Sequence, residues 1–215
     1  MPSVPIPSLA DLPKTIPVFP LAGALLLPRG RLPLNIFEPR YLAMIDTALR
    51  QTRVIGMVQP TVEDERRPKL YPVGCLGRLT SWSDTGDGRF FITLSGVIRF
   101  RITNELKTTS PYREVEPDFA PYVDDLKDSD DDDYIDRKRL GHCLKSYMEQ
   151  KRIDADLSLI DRAPAETLIN SLAMICPFAP AEKQALLEAG TLADRAQLLT
   201  TLIEMAATGH GGTLQ

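Results

Sequence analysis

Between residues 16 and 45 the chain reads IPVFPLAGALLLPRGRLPLNIFEPRYLAMI, short apolar runs punctuated by proline. Proline at 17, 20, 28, 33 and 39 removes a backbone donor each time, so strands here must be short, bent or at a sheet edge. The period changes at Glu38-Pro39, where Pro39 has the fixed φ of a first helical position and Glu38 puts negative charge at a helix N-terminus. From there Leu42, Ile45 and Leu49 recur at spacings of three and four, with Tyr41, Met44 and Ala48 beside them. This predicts a helix docked on the strands by one apolar face.

Val54 to Val58 reads as a short buried strand, and Thr61 to Lys69 as a charged surface loop. A longer strand is predicted from Val73 to Trp82, with Gly74 and Gly77 marking bulges or close backbone approach in a strongly curved sheet. Asp84 to Gly88 is a turn cluster. The segment Arg89 to Ile102 reads as a hairpin. A three-residue loop Leu94-Ser95-Gly96 with Gly96 at positive φ sets Ile92 opposite Ile98 and Phe90 opposite Phe100. Arg89, Thr93, Arg99 and Arg101 then share the other face with Phe91 and Val97.

Composition shifts at residue 124. Seven of the ten positions from Asp124 to Asp133 are aspartate, which predicts a self-repelling, solvated linker. Helical periodicity follows. Tyr134 to Lys151 forms one helix; Pro164 opens a second that ends before Pro177; Pro180 opens a third that Gly190 stops; and Leu192 to Ala207 forms a fourth. Leu198, Leu199, Leu202, Ile203 and Met205 define the apolar side of the last.

Several separated blocks of this pattern resemble the N-terminal, substrate-binding domain of Lon proteases. They are Pro17-Val18-Phe19-Pro20-Leu21, Leu27-Pro28, Leu32-Pro33-Leu34 and, above all, Ile36-Phe37-Glu38-Pro39-Arg40-Tyr41. Val73 to Arg78, Gly96 to Ile102, Tyr112-Arg113 before Val115, Pro180 to Glu188 and Asp194-Arg195-Ala196 continue the resemblance along the chain. It implies an α+β fold, a strongly bent PUA-like β subdomain with one packed helix (1–123), then the Asp-rich linker (124–133) and a C-terminal helical bundle (134–208). It also implies a task, the binding of unfolded or damaged polypeptides, alone or with a protease partner. A Lon protease carries an ATPase and a peptidase beyond this domain, and 215 residues have room for neither.

Charge narrows the alternatives. A net charge of −4 and a pI near 5.3 argue against nucleic acid, which needs a basic face to neutralise phosphates. Three widely spaced cysteines, Cys75, Cys143 and Cys176, make no closed disulfide framework and suggest a reducing compartment. The start, MPSVPIPSLADLPK, has no secretory pattern, and the longest apolar run is far short of the roughly 20 residues that span a bilayer. The expectation is a soluble cytoplasmic protein without a membrane segment.

Catalytic and cofactor motifs are missing from these residues: there is no GxxxxGK[ST] phosphate loop, no GxSxG and no HExxH. Asp128, Asp130 and Asp132 alternate like a calcium loop, but Asp133 stands where glycine belongs and Arg139 where the bidentate glutamate belongs. His142 and Cys143 point about 100° apart on a helix and do not converge as zinc ligands. No catalytic, cofactor or metal residue is therefore assigned. Glu38 and Arg40 read as a helix start with a local pair, and Tyr41 as the beginning of its apolar face. Trp82 either caps the sheet or anchors a partner. Arg40, Tyr41 and Trp82 are the candidate polypeptide contacts, in a groove expected between the two halves. The rival readings are an enzyme that uses Glu38, Arg40 or an acidic cluster, and small-ligand or RNA recognition by a PUA-like sheet.

Overall fold

The structure is a computed structural model that describes residues 8–61, 68–127, 135–151 and 162–208. The chain divides into two compact units, Met1–Asp128 and Ser129–Gln215. The first is built on strands β1 (Ile16–Pro20), β2 (Arg31–Ile36), β3 (Val54–Val58), β4 (Val73–Asp84), β5 (Phe90–Glu105) and β6 (Arg113–Asp118), with helix α1 (Pro39–Arg50) between β2 and β3. Strand order is β2-β5-β4-β3-β1-β6, and β6 also pairs with β5. Five strands thus close into a ring, while β2 lies outside it along the first half of β5, from Arg31↔Ser95 to Ile36↔Phe90. Only β1 and β3 run parallel. Closure removes the exposed edges that an open sheet of this size carries. Pro33 sits on β2, the edge strand, whereas Pro17 and Pro20 lie in a five-residue strand paired on both sides.

The ring interior holds Ile16, Val18, Val58, Leu76, Ile98, Phe100 and Val115, each almost free of solvent. Phe100 decides the spacing around it. A β-carbon at Gly74 would stand 2.7 Å from Phe100 Cζ and 2.6 Å from the Met57 carbonyl oxygen, and one at Gly56 would stand 2.8 Å from Phe100 Cζ. The two glycines are the space into which the ring fits. Phe119 packs edge-on to it, with centroids 6.2 Å apart. The glycines predicted to mark curvature do so: Gly74 by this close approach, Gly77 at a register shift between β4 and β5.

The predicted hairpin at Leu94-Ser95-Gly96 is not formed. Residues 90–105 are one continuous strand, and Ile92 lies opposite Leu34 and Trp82, not Ile98. Ile92, Leu94, Gly96, Ile98 and Phe100 are all buried at every second position, an unbroken strand period running through the glycine. Gly96 is there for clearance and not for a left-handed turn. Its N–H donates to Gly30 O, its carbonyl accepts from Arg29 N–H (both 2.9 Å), and a β-carbon would fall 1.9 Å from Leu27 O. Gly96→Ala and Gly96→Asn should therefore each destabilise by about 1–3 kcal/mol or more in urea unfolding. A turn glycine at positive φ would instead tolerate asparagine clearly better than alanine.

Arg99, predicted on a polar face, is 6% exposed. Its guanidinium bonds both carboxylate oxygens of Asp125 at 2.8–3.2 Å, its own backbone N–H donates to Asp125 Oδ2 at 2.9 Å, and it stacks 4.8 Å above the Tyr122 ring. Asp125 and Tyr122 lie on a short 3₁₀ helix, Ala120–Leu126. The first two aspartates of the predicted linker thus belong to this helix, while residues 128–133 lie outside the described residues, as do 62–67 of the predicted charged loop.

Helix α1 begins at Pro39 as its sequence predicts, with Glu38 in the capping position and Tyr41, Met44, Ile45 and Ala48 buried. Leu42 and Leu49 are only half-buried.

The second unit contains α2 (Arg137–Lys151), α3 (Ala165–Ile175), α4 (Pro180–Glu188) and α5 (Leu192–Ala207). Asp136 caps α2 by accepting the Arg139 N–H at 2.9 Å, which sets the start three residues beyond the predicted Tyr134. The three later starts follow their prolines and, for α5, a reciprocal Thr191–Asp194 capping box. Buried Arg195 donates to Leu186 O (2.9 Å) and Asn170 Oδ1 (3.1 Å), tying α5 to α4 and α3. Arg139 grips Glu204 with two bonds of 2.9 and 2.8 Å across α2 and α5. Met205, predicted on the apolar side of α5, is exposed.

Candidate functional site

A cleft of about 590 Å³ opens on the β unit. Pro20, Leu21 and Ala22 come from the end of β1, Arg40 and Tyr41 from the first turn of α1, and Leu106, Lys107 and Thr108 with Ser110 to Arg113 from the β5–β6 connection. Pro60 and Pro68 complete it. Pro39 starts α1 shortly after β2 ends, and the packing of the fold brings its first turn to the β1 terminus.

Each charged group is held differently. Arg40 Nε donates to Glu38 Oε2 at 3.0 Å, and its guanidinium lies 4.5 Å over the Tyr41 ring. Tyr41 itself is mostly buried, tilted at 43° against Phe19 with centroids 4.2 Å apart. Burial raises its phenol above the ordinary value, opposed by the nearby Arg40 and Arg113 cations. Arg113 donates to Pro68 O (2.6 Å) and to both Glu105 oxygens (2.9 and 2.5 Å). Lys107 is exposed and makes no ion pair among the described residues.

Among the described residues the lining has four prolines, two tyrosines and three cations, with no carboxylate, histidine or cysteine. Such a set offers hydrogen-bond donors beside apolar surface, the elements of a binding cleft.

Of the three candidate contacts, the cleft gathers Arg40 and Tyr41. Trp82 lies elsewhere, on the β2–β5–β4 part of the sheet, 45% exposed, with the Arg53 guanidinium 5.2 Å from its ring. Lys107, Tyr112 and Arg113 were not read as site residues. They sit in or beside a connection without periodicity, and only Tyr112-Arg113 carried any signal, as part of a family block.

Among the described residues, no group of three or more His, Cys, Asp or Glu is placed to hold a metal ion. The Asp128, Asp130 and Asp132 run lies outside the described residues. All three cysteines are buried, and burial pushes the Cys176 thiol up to about 11, which disfavours the reactive thiolate. Among the described residues no helix is long and apolar enough to cross a membrane.

Comparison with known proteins bears on the family and the fold. Residues 15–205 match the family described as the ATP-dependent protease La (LON) substrate-binding domain. Lon protease 2 of Myxococcus xanthus is 26% identical over 208 residues, which are 90% of this chain and 24% of that protein. Lon protease of Parabacteroides distasonis is 28% identical over 205 residues, 88% of this chain and again 24% of the relative. The chain thus spans about a quarter of the length of these curated relatives. Among solved structures, a Lon N-terminal domain protein from Xanthomonas campestris aligns with a TM-score of 0.61 at 22% identity, covering 87% of this chain and 97% of that one. The N-terminal domain of a Mycobacterium avium complex Lon protease aligns with a TM-score of 0.66 at 16% identity, covering 92% and 100%. With the α+β fold shared and nearly the whole chain matched, this protein belongs to the Lon substrate-binding domain family.

Proposed function

We propose that this chain binds unfolded or damaged polypeptide segments in the cleft beside α1, without catalysing a reaction on them. The observation that carries this is the lining itself: apolar prolines and tyrosines with side-chain donors among them. The family description points the same way. These 215 residues carry no phosphate loop and no peptidase motif, and what they contribute on this reading is a recognition step. Arg40 supplies a donor fixed in direction by Glu38, and Tyr41 and Tyr112 supply flat apolar surface, so a segment is oriented by few polar contacts and held by burial.

Titration with a permanently unfolded protein should give saturable binding at about micromolar Kd, near −8 kcal/mol. Thr108→Trp, which fills the cleft from an exposed loop position, should weaken it about tenfold. Trp82 does not line the cleft, so its emission in the parent chain should stay constant as ligand binds. Absence of binding up to roughly 1 mM, or a large Trp82 shift with no effect of Thr108→Trp, refutes the cleft as the site.

A further inference from the structure

On the reading that the cleft holds polypeptide, we infer that it selects segments in which acidic side chains adjoin an apolar or aromatic residue. The chain as a whole is acidic, with 29 Asp and Glu against 25 Lys and Arg, yet among the described residues every charged side chain lining the cleft is a cation: Arg40, Lys107 and Arg113. The carboxylates that steady two of them, Glu38 and Glu105, are not part of the lining. They hold the guanidinium groups in place from outside, and Lys107 adds a charge with no ion pair among the described residues.

The prolines sharpen the preference. Pro20, Pro60, Pro68 and Pro111 have no backbone N–H, which removes four main-chain donors from the lining and gives more weight to the side-chain ones. Side-chain donors that are cationic select acceptors that are anionic, and charge-assisted bonds from arginine to carboxylate are roughly twice as strong as neutral ones. Cations from α1 and from the β5–β6 connection face the same space, which fits several carboxylates along an acidic segment better than the single carboxylate of a chain terminus. The tyrosine and proline surfaces take the neighbouring apolar side chain. A nucleic acid fits less well, since three cations in one cleft of a chain with net charge −4 make a small footprint for a phosphate backbone.

The test uses the full chain and two fluorescein-labelled peptides, capped at both ends and identical except that glutamates flanking a leucine are replaced by glutamines. Fluorescence anisotropy should show the glutamate peptide binding about tenfold tighter at low salt. That gap should shrink as salt rises and collapse in Lys107→Glu, an exposed position whose replacement leaves the packed structure intact. Equal binding of the twins overturns this inference while polypeptide binding stands. Failure of both peptides to bind overturns it too, and if the unfolded protein also fails to bind, the proposed function falls with it. A gap unchanged by Lys107→Glu refutes the cleft as its origin. Stronger competition by single-stranded polyuridylate than by the glutamate peptide refutes the peptide assignment in favour of nucleic acid.

Discussion

Phe100→Ala should cost the β unit about 3–5 kcal/mol, the range expected when a fully buried aromatic is truncated and its surroundings cannot collapse. The ring is 0% exposed and packs inside a closed set of strands, whose hydrogen bonds resist the inward movement that would refill the cavity. The same geometry predicts a coupling. Gly74→Ala places a β-carbon 2.7 Å from Phe100 Cζ and 2.6 Å from the Met57 carbonyl oxygen, so in the parent chain it should lose at least about 1–3 kcal/mol by overpacking. In a Phe100→Leu background the ring clash is gone and the contacts with the Met57 carbonyl oxygen and Val58 Cγ1, both 2.6 Å, remain, so the second substitution should cost less. Urea unfolding of the four variants closes the cycle. Strict additivity would mean that Phe100 and Gly74 do not share the space assigned to them.

Asp125→Ala should be as damaging, by about 3–5 kcal/mol, because it leaves the Arg99 guanidinium buried without its anion. Both side chains of the pair are less than a tenth exposed, so water does not replace the lost bonds. The Arg99 backbone N–H loses its acceptor as well. Replacing both members, as Arg99→Met with Asp125→Leu, should recover most of the loss, since an apolar pair of similar volume needs no partner. Equal stability of Asp125→Ala and the parent in chemical denaturation would show that this residue is part of a solvated linker, as its aspartate-rich context suggested.

Much of the molecule was legible because the relevant rules act over a few residues. Pro39 at a first helical position and the prolines at 164 and 180 each announced a helix start that the structure has within a residue. Val54 to Val58 was bounded by its apolar content alone. The candidate site was half-legible: Arg40 and Tyr41 stand in the block that also starts α1, whereas Lys107 and Arg113 join them only because β5 and β6 return to the end of β1. Their connection has no period from which its position can be read.

Gly96 shows the limit most clearly. A Ser-Gly pair between apolar runs is good local evidence for a turn, and the competing signal, burial at every second residue from Ile92 to Phe100, wins because pairing with β2 and β4 supplies bonds along both sides of an unbroken strand. Arg99 is similar: nothing within several residues marks it as buried, and its partner lies 26 positions away.

By itself the sequence determined which segments become helix or strand, where most of them begin, and the family to which the chain belongs, since backbone propensity, capping and alternation are set by neighbours a few residues apart. Tertiary structure alone decided that the sheet closes on itself, that Gly56, Gly74 and Gly96 are clearances, that Arg99 is buried against Asp125, and that three cations meet around one cleft. Each of those depends on atoms brought together from distant parts of the chain, where a side chain's neighbours are chosen by packing and hydrogen bonding and not by its place in the sequence.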